Sequence, residues 1–167
     1  MLLPAVLAAV GVQRIAELAY AKVTARKLIA AGARFVREDG MGLIVATHAL
    51  WFVAGLAESA TFGERFGWWT PVGLAAFAAG SGLRYWSMAN LGWRWNTRVF
   101  VLPQAPLVAS GPYTFLRHPI YVGVSLELAG LPAAFGLWRT SLALTALNGV
   151  AVLRRIRLEE RALGLRA

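Results

Sequence analysis

The sequence predicts an all-α protein: a polytopic membrane domain of about five transmembrane helices, with a polar pocket on the cytoplasmic side. Three observations predict it. Hydrophobic residues make up 58% of the chain and the mean hydropathy is +0.57, too apolar for an ordinary soluble domain. The apolar residues fall into stretches near the ~20 residues that cross a bilayer as a helix. The basic residues collect in alternate connections between those stretches, which is a topology signal.

The elements follow in order. Residues 2–21, "LLPAVLAAVGVQRIAELAYA", form the first apolar stretch. It lacks the cationic start of a signal peptide, so it reads as a retained membrane helix. The basic, mildly amphipathic "KVTARKLIAAGARFVRED" follows and is expected to lie at the interface. A second span is expected from Met41 to Phe62, closed by the turn "GERFGWW" with its interfacial tryptophans. A third runs from Trp69 to Leu91. In the polar segment after it, Pro103, Pro106 and Pro112 exclude a continuous helix. A short fourth span covers Pro119 to Leu137, with Pro132 inside it. The fifth helix runs from Ser141 to Leu163, well past its apolar part. All 167 residues read as one domain.

Charge orients these spans. Of the 17 basic residues, most lie in three places. Lys22, Arg26, Lys27, Arg34 and Arg37 follow the first span. Arg94, Arg98 and Arg117 follow the third. Arg154, Arg155, Arg157, Arg161 and Arg166 end the chain. The other two connections hold only Arg65 and Arg139. The expectation is an N-terminus outside and a C-terminus in the cytoplasm. The net charge of +9 therefore points to bilayer topology and anionic headgroups rather than to nucleic acid. With no cysteine, disulfides, thiolate metal sites and a cysteine nucleophile are excluded. No cluster shows metal-ligand spacing.

Ionisable residues inside spans mark function or internal pairing. Arg14 and Glu17 share a helical face and read first as an ion pair. His48 reads first as hydrogen-bonded packing, and Arg84 as a snorkelling cation. Glu127, mid-span, stands evenly between an internal hydrogen bond and a role in a substrate pocket. Two further motifs flank the last two spans on the same side. "SGPYTFLRHPIYVG" (residues 110–123) enters the fourth, and "RIRLEERAL" (155–163) leaves the fifth. A helical hairpin brings them together into one pocket of Arg117, His118, Tyr121, Arg155, Glu159 and Glu160. Such a mixed-charge pocket suits a ligand carrying both charges.

These two motifs resemble the paired signatures of the isoprenylcysteine carboxyl methyltransferase and phospholipid methyltransferase superfamily, over about Asn96 to Leu163. The resemblance implies an S-adenosylmethionine (SAM) pocket formed by the last two spans and their cytoplasmic flanks. It implies cofactor contacts from Arg98, from Ala105, Pro106, Leu107 and Val108, from Tyr113, and from His118, Pro119, Ile120 and Tyr121. Glu159 matches the cofactor-binding acid and Arg155 the substrate-side arginine. "VQRIAELAYAK" and "THALWF" are similar to bacterial relatives that methylate a ring hydroxyl of long-chain alkylpyrones or alkylresorcinols. That likeness implies a bacterial inner-membrane enzyme. Many relatives carry a Phe-Gly and tyrosine-rich tail after the double glutamate. Here the sequence reads "ALGLRA", so whatever that tail covers is expected to be missing or supplied differently.

The chemistry suits these residues. Methyl transfer from a sulfonium needs alignment and exclusion of water, and no metal. A carboxylate acceptor arrives ionised and wants a cation such as Arg155. A phenol or enol must lose a proton, for which Glu127, His48 and Glu17 are the candidate bases. A lipid amine wants acidic surroundings, which this basic chain supplies least well. With the acceptors that the resemblance implies, the expected function is SAM-dependent O-methylation of a membrane-dissolved polyketide phenol or pyrone. An isoprenylcysteine carboxylate comes second and a phospholipid amine third. The non-enzyme alternative is a membrane scaffold or small-solute carrier built on an Arg-Glu network. The expected partners are a lipophilic acceptor and membrane lipids.

Overall fold

The computed structural model describes residues 2–37 and 40–165. Arg166, counted above among the basic residues of the tail, lies outside the described residues. Five long helices carry the chain: α1 Leu3–Ala30, α2 Met41–Phe62, α3 Trp69–Leu91, α4 Pro119–Ala134 and α5 Trp138–Ala162. Two short strands, β1 Arg34–Phe35 and β2 Phe100–Val101, pair antiparallel, with Arg34 opposite Val101 and Phe35 opposite Phe100.

The bounds of α2 and α3 match the expected spans. Other boundaries differ, for local reasons. The basic stretch after Ala21 does not form a separate interfacial helix; α1 continues to Ala30, because nothing interrupts it before Gly32, whose φ is +82°. The chain then extends into β1, and pairing with the polar segment after α3 ties two distant connections together. The helix α4 stops at Ala134 rather than Leu137. Gly136 takes a φ of +74°, and the amides of Phe135 and Leu137 both donate to Pro132 O. The helix α5 starts early, at Trp138, because the Glu58 carboxylate accepts from the amides of Arg139 and Thr140. Glu64 does the same for α1 at the amides of Leu2 and Leu3. Each carboxylate satisfies orphan donors and meets the positive end of a helix dipole.

Helices α3 and α4 make the closest pair in the bundle, along a seam of glycines. A Cβ on Gly80 would sit 2.6 Å from Gly123 O, and one on Gly130 would sit 2.7 Å from Gly73 O. Small residues let the two backbones approach where side chains would hold them apart. The apolar core joins Leu3, Leu7 and Val10 of α1, Trp51 of α2, Leu128 and Leu131 of α4 and Leu144 of α5. Trp51 Nε1 donates to Leu128 O at 3.0 Å, which satisfies the indole inside that core.

The exterior is apolar as well. Val12, Ile15, Val53, Val72 and Leu142 are all exposed, a surface that water does not suit and lipid does. Among the described residues two helices, α1 and α2, are long and apolar enough to cross a membrane; α4 is apolar but shorter.

Candidate active site

The polar segment after α3 covers one end of the bundle, beside the start of α4 and the end of α5. Asn96 fastens it to α1: Nδ2 donates to Ala21 O at 2.6 Å and to Thr24 Oγ1 at 2.9 Å. Next to it the buried Trp95 stacks on Tyr20, with ring centroids 5.6 Å apart. Arg94 Nη1 donates to Pro106 O at 2.9 Å. Ser110 Oγ donates to Asn90 Oδ1 at 3.0 Å, and Gly111, at φ +57°, packs so closely on the Asn90 side chain that a Cβ would clash. The prolines thus give an irregular strap that side chains pin at several points.

The Arg-His-Pro run and the double glutamate meet as the hairpin of α4 and α5 requires. His118 Nε2 and Arg117 Nη1 each lie 3.3 Å from Glu160 Oε1. Glu160 is buried, whereas Arg117 is largely exposed. Tyr121 OH donates to Glu159 Oε2 at 2.7 Å and accepts from Arg155 Nε at 3.2 Å. Arg155, also buried, donates through Nη2 to Thr97 O at 2.8 Å, which locks α5 to the strap. The two neighbouring glutamates therefore have different work. Glu160 closes the helix hairpin against the Arg-His-Pro run; Glu159 faces Tyr121. Tyr113 stands near enough to Glu159 that burial, then the carboxylate's charge, push its phenol above the usual tyrosine range. It stays a protonated donor at neutral pH.

From this mouth an open groove of about 430 Å³ runs down between α4 and α5. His118 and Tyr121 line its top; Val122, Leu126, Ala129 and Val152 supply apolar wall. Tyr121 thus belongs to both compartments. Its hydroxyl sits in the charged network and its side chain in the groove wall.

The predicted site residues divide into groups. Tyr121, Arg155 and Glu159 form one hydrogen-bonded cluster, with Tyr113 close to Glu159; His118, bonded to Glu160, lies beside the Tyr121 ring, 5.8 Å between centroids, and Pro119 and Ile120 begin α4 beside them. Ala105, Pro106, Leu107 and Val108 form an irregular run that Arg94 holds at Pro106 O, with Leu107 exposed. Arg98 lies over the Phe35 ring, 5.9 Å from its centroid. Glu127 stands elsewhere, on the side of α4 that faces α1 and α3. Its carboxylate accepts from Ser81 Oγ at 2.7 Å and from Arg84 Nε at 3.2 Å, and it pairs with Arg14. Arg84 also reaches Glu17 with two bonds of 2.7 and 2.6 Å. The expected Arg14–Glu17 pair forms, and it joins Arg84 and Glu127, both buried, in one cluster of four charges. His48 Nδ1 lies 2.8 Å from Ile44 O, within its own helix. Sequence reasoning missed Thr97, which acts through its carbonyl and so leaves no residue-type signal. It also passed over Ser125, Thr145 and Asn148, whose polar side chains within apolar helices were a signal.

The sequence model of the isoprenylcysteine carboxyl methyltransferase family matches residues 72–164, more than half of the chain. The chain belongs to this family. The match covers α3 from Val72 onward, the strap, α4 and α5, which hold the hydrogen-bonded cluster of Tyr121, Arg155 and Glu159. The uncharacterized protein YpbQ of Bacillus subtilis (strain 168) is 34% identical over 154 residues, 91% of this chain and 90% of that protein. No solved structure matches. Membership in the isoprenylcysteine carboxyl methyltransferase family, with the two long apolar helices, makes the protein a membrane methyltransferase.

Proposed function

We propose that the protein transfers a methyl group from SAM to an oxygen of a lipophilic ring acceptor, a polyketide phenol or pyrone, dissolved in the membrane. The observation that carries this reading is the double membership of Tyr121, in the polar mouth and in the apolar groove. A charged, water-soluble donor and an apolar acceptor need two compartments that meet at one point.

The residues fit the donor. Glu159 and Tyr113 offer an acceptor and a neutral donor for ribose hydroxyls or an ammonium. Arg117 and His118 offer cationic and imidazole partners for a carboxylate. SAM supplies an electrophilic methyl on its sulfonium. The chain's own residues position and shield. Glu160 holds the Arg-His-Pro run against α5, so that His118 and Tyr121 keep their places at the head of the groove. Arg155, buried beside Tyr121, favours the ionised form of an acceptor hydroxyl at that point; its proton leaves to solvent beforehand, and the oxyanion loses its charge as it takes the methyl. The strap covers the mouth and excludes water. Glu127, with its carboxylate engaged by Arg14, Arg84 and Ser81, serves as a counter-charge that joins α1, α3 and α4 rather than as the base.

In this reading all five helices span a bacterial inner membrane, with the N-terminus outside and the strap in the cytoplasm. The placement of the basic residues supports it: among the described residues, those of the first and third connections and of the end of α5 share the end of the bundle that carries the site. The reading is tested by incubating purified full-length protein with methyl-labelled SAM and three acceptors: a long-chain alkylresorcinol, a farnesylcysteine and a phosphatidylethanolamine. Label on the resorcinol oxygen is expected; transfer only to the farnesylcysteine carboxylate or only to the lipid amine overturns it.

A further inference from the structure

One peptide unit joins the anchor of the strap to Arg155. Asn96, near the start of the strap, has both polar atoms of its side chain engaged. Nδ2 donates to Ala21 O at 2.6 Å and to Thr24 Oγ1 at 2.9 Å, and Oδ1 accepts from the amide of Arg98 at 2.9 Å. Two acceptors on one side and a backbone donor on the other fix which way this amide points. Ala21 and Thr24 are buried, so the far end of the anchor is the body of α1. The near end is an Asx-turn, in which an asparagine side chain holds its own backbone two residues on.

The amide of Arg98 and the carbonyl of Thr97 belong to the same peptide unit. That unit is planar, with its N–H and C=O directed to opposite sides. Asn96 Oδ1 holds one side; the other, Thr97 O, accepts from Arg155 Nη2 at 2.8 Å. Asn96 thus sets the direction of the carbonyl that meets Arg155. Arg155 donates through Nε to Tyr121 OH at 3.2 Å, so its guanidinium is held from both flanks at the head of the groove. The influence of that charge on a hydroxyl beside it falls with distance and grows where water is excluded, so its placement matters. The strap has other fastenings: Trp95 on Tyr20, β2 on β1, and Arg94 at Pro106 O. Loss of the Asn96 side chain therefore frees one peptide and leaves the strap in place.

We propose that Asn96 is a positioning residue: by fixing the 97–98 peptide against α1, it holds the Arg155 guanidinium where it favours the ionised form of the acceptor hydroxyl. This assignment rests on the methyl-transfer reading above and deepens it. It gives α1, which lies outside the matched residues 72–164, a part in the reaction.

The test reads ionisation directly. A nitro-substituted alkylphenol, whose phenolate is coloured, is titrated with pH on full-length protein in detergent, with S-adenosylhomocysteine in place of SAM so that no transfer occurs. Tyr121 and His118 of α4, Glu159 and Glu160 of α5, and Tyr113 and Arg98 of the strap surround the site and are the same in wild type and both Asn96 variants. Wild type is expected to hold the pKa of the bound phenol below its value in detergent alone, and Arg155→Met to abolish that lowering. Asn96→Ala is expected to lose at least half of it, with Tm close to wild type. Its kcat with SAM should fall at neutral pH and return toward wild type as pH rises. Asn96→Ser, whose hydroxyl still reaches the Arg98 amide, is expected to lose less, and it carries the test if Asn96→Ala fails to fold. A folded variant whose bound phenol keeps the wild-type pKa overturns the positioning role. A wild type that methylates the phenol without lowering its pKa overturns it too, and leaves the methyl-transfer reading standing. A wild type that methylates no phenol overturns both.

Discussion

Removing Arg84 tests what holds the helices together. Arg84 is 3% exposed and donates to two carboxylates: to Glu17 through Nη1 and Nη2, and to Glu127 through Nε. The cluster of Arg14, Glu17, Arg84 and Glu127 sums to zero charge. Arg84→Met fills a similar volume but leaves two carboxylates facing the single guanidinium of Arg14. Breaking a buried pair by removing one partner costs about 3–5 kcal/mol, because the other charge is left uncompensated. For a chain of this size that corresponds to a fall in Tm of roughly 6–20 °C. The double substitution Arg84→Met with Glu17→Gln restores neutrality and leaves the Arg14–Glu127 pair in place. It is expected to recover roughly 2 kcal/mol of the loss, which makes the two substitutions strongly non-additive. Thermal melting in detergent, followed by tryptophan fluorescence, reads both. Two results refute the reasoning: a single variant that melts within about 2 °C of wild type, or a double variant whose loss equals the sum of the two singles.

Other expectations follow from the same geometry. Gly80→Leu drives a side chain into the backbone of α4 at Gly123 and is expected to cost well above the about 1–3 kcal/mol of ordinary overpacking, whereas Gly11→Leu, in open space, should leave Tm near wild type. Glu127→Gln is expected to lower Tm and leave the pH profile of kcat unchanged; a stable variant whose turnover returns only at high pH would instead make Glu127 the base. Glu160→Gln loosens Arg117 and His118 and is expected to raise KM for SAM, while His118→Gln in the same background adds little more. Single cysteines placed at Arg37 and Arg65, in a chain that has none, are expected to take up an impermeant thiol reagent from opposite sides of inverted and right-side-out vesicles; labelling of both from one side contradicts five spans.

Much of this molecule was legible in its residues, and the exceptions have physical causes. The bounds of α2 and α3 stand out because glycine or tryptophan closes each apolar run, and the length of the run carries the rest. The meeting of "RHPIY" with "RLEE" followed from a hairpin of two adjacent helices. The β1–β2 pair did not, because two residues of strand leave no periodic pattern, and their pairing spans two connections far apart in the chain. The glycine seam between α3 and α4 was spelled at a spacing of seven in both helices, at Gly73 and Gly80 and at Gly123 and Gly130, yet spacing does not name the partner helix. Arg14, Glu17, Arg84 and Glu127 were each conspicuous as charges in apolar surroundings. Their joint neutrality needed the packing of three helices. Asn148 was overlooked because a single amide in an apolar run reads as tolerated, and only the packing shows that its Nδ2 ties α5 to Ser125 of α4.

The central claim is that Glu159, held by Tyr121 between the strap and α5, binds the methyl donor. Titration of purified protein with SAM, by calorimetry in detergent, tests it most directly. Wild type is expected to bind saturably with one site per chain. Loss of a charged hydrogen-bonding partner is worth about 1.5–3 kcal/mol, so Glu159→Ala is expected to weaken binding at least tenfold while Tm stays close to wild type. A wild type that does not bind SAM, or a folded Glu159→Ala variant that binds it with unchanged affinity, would contradict the account.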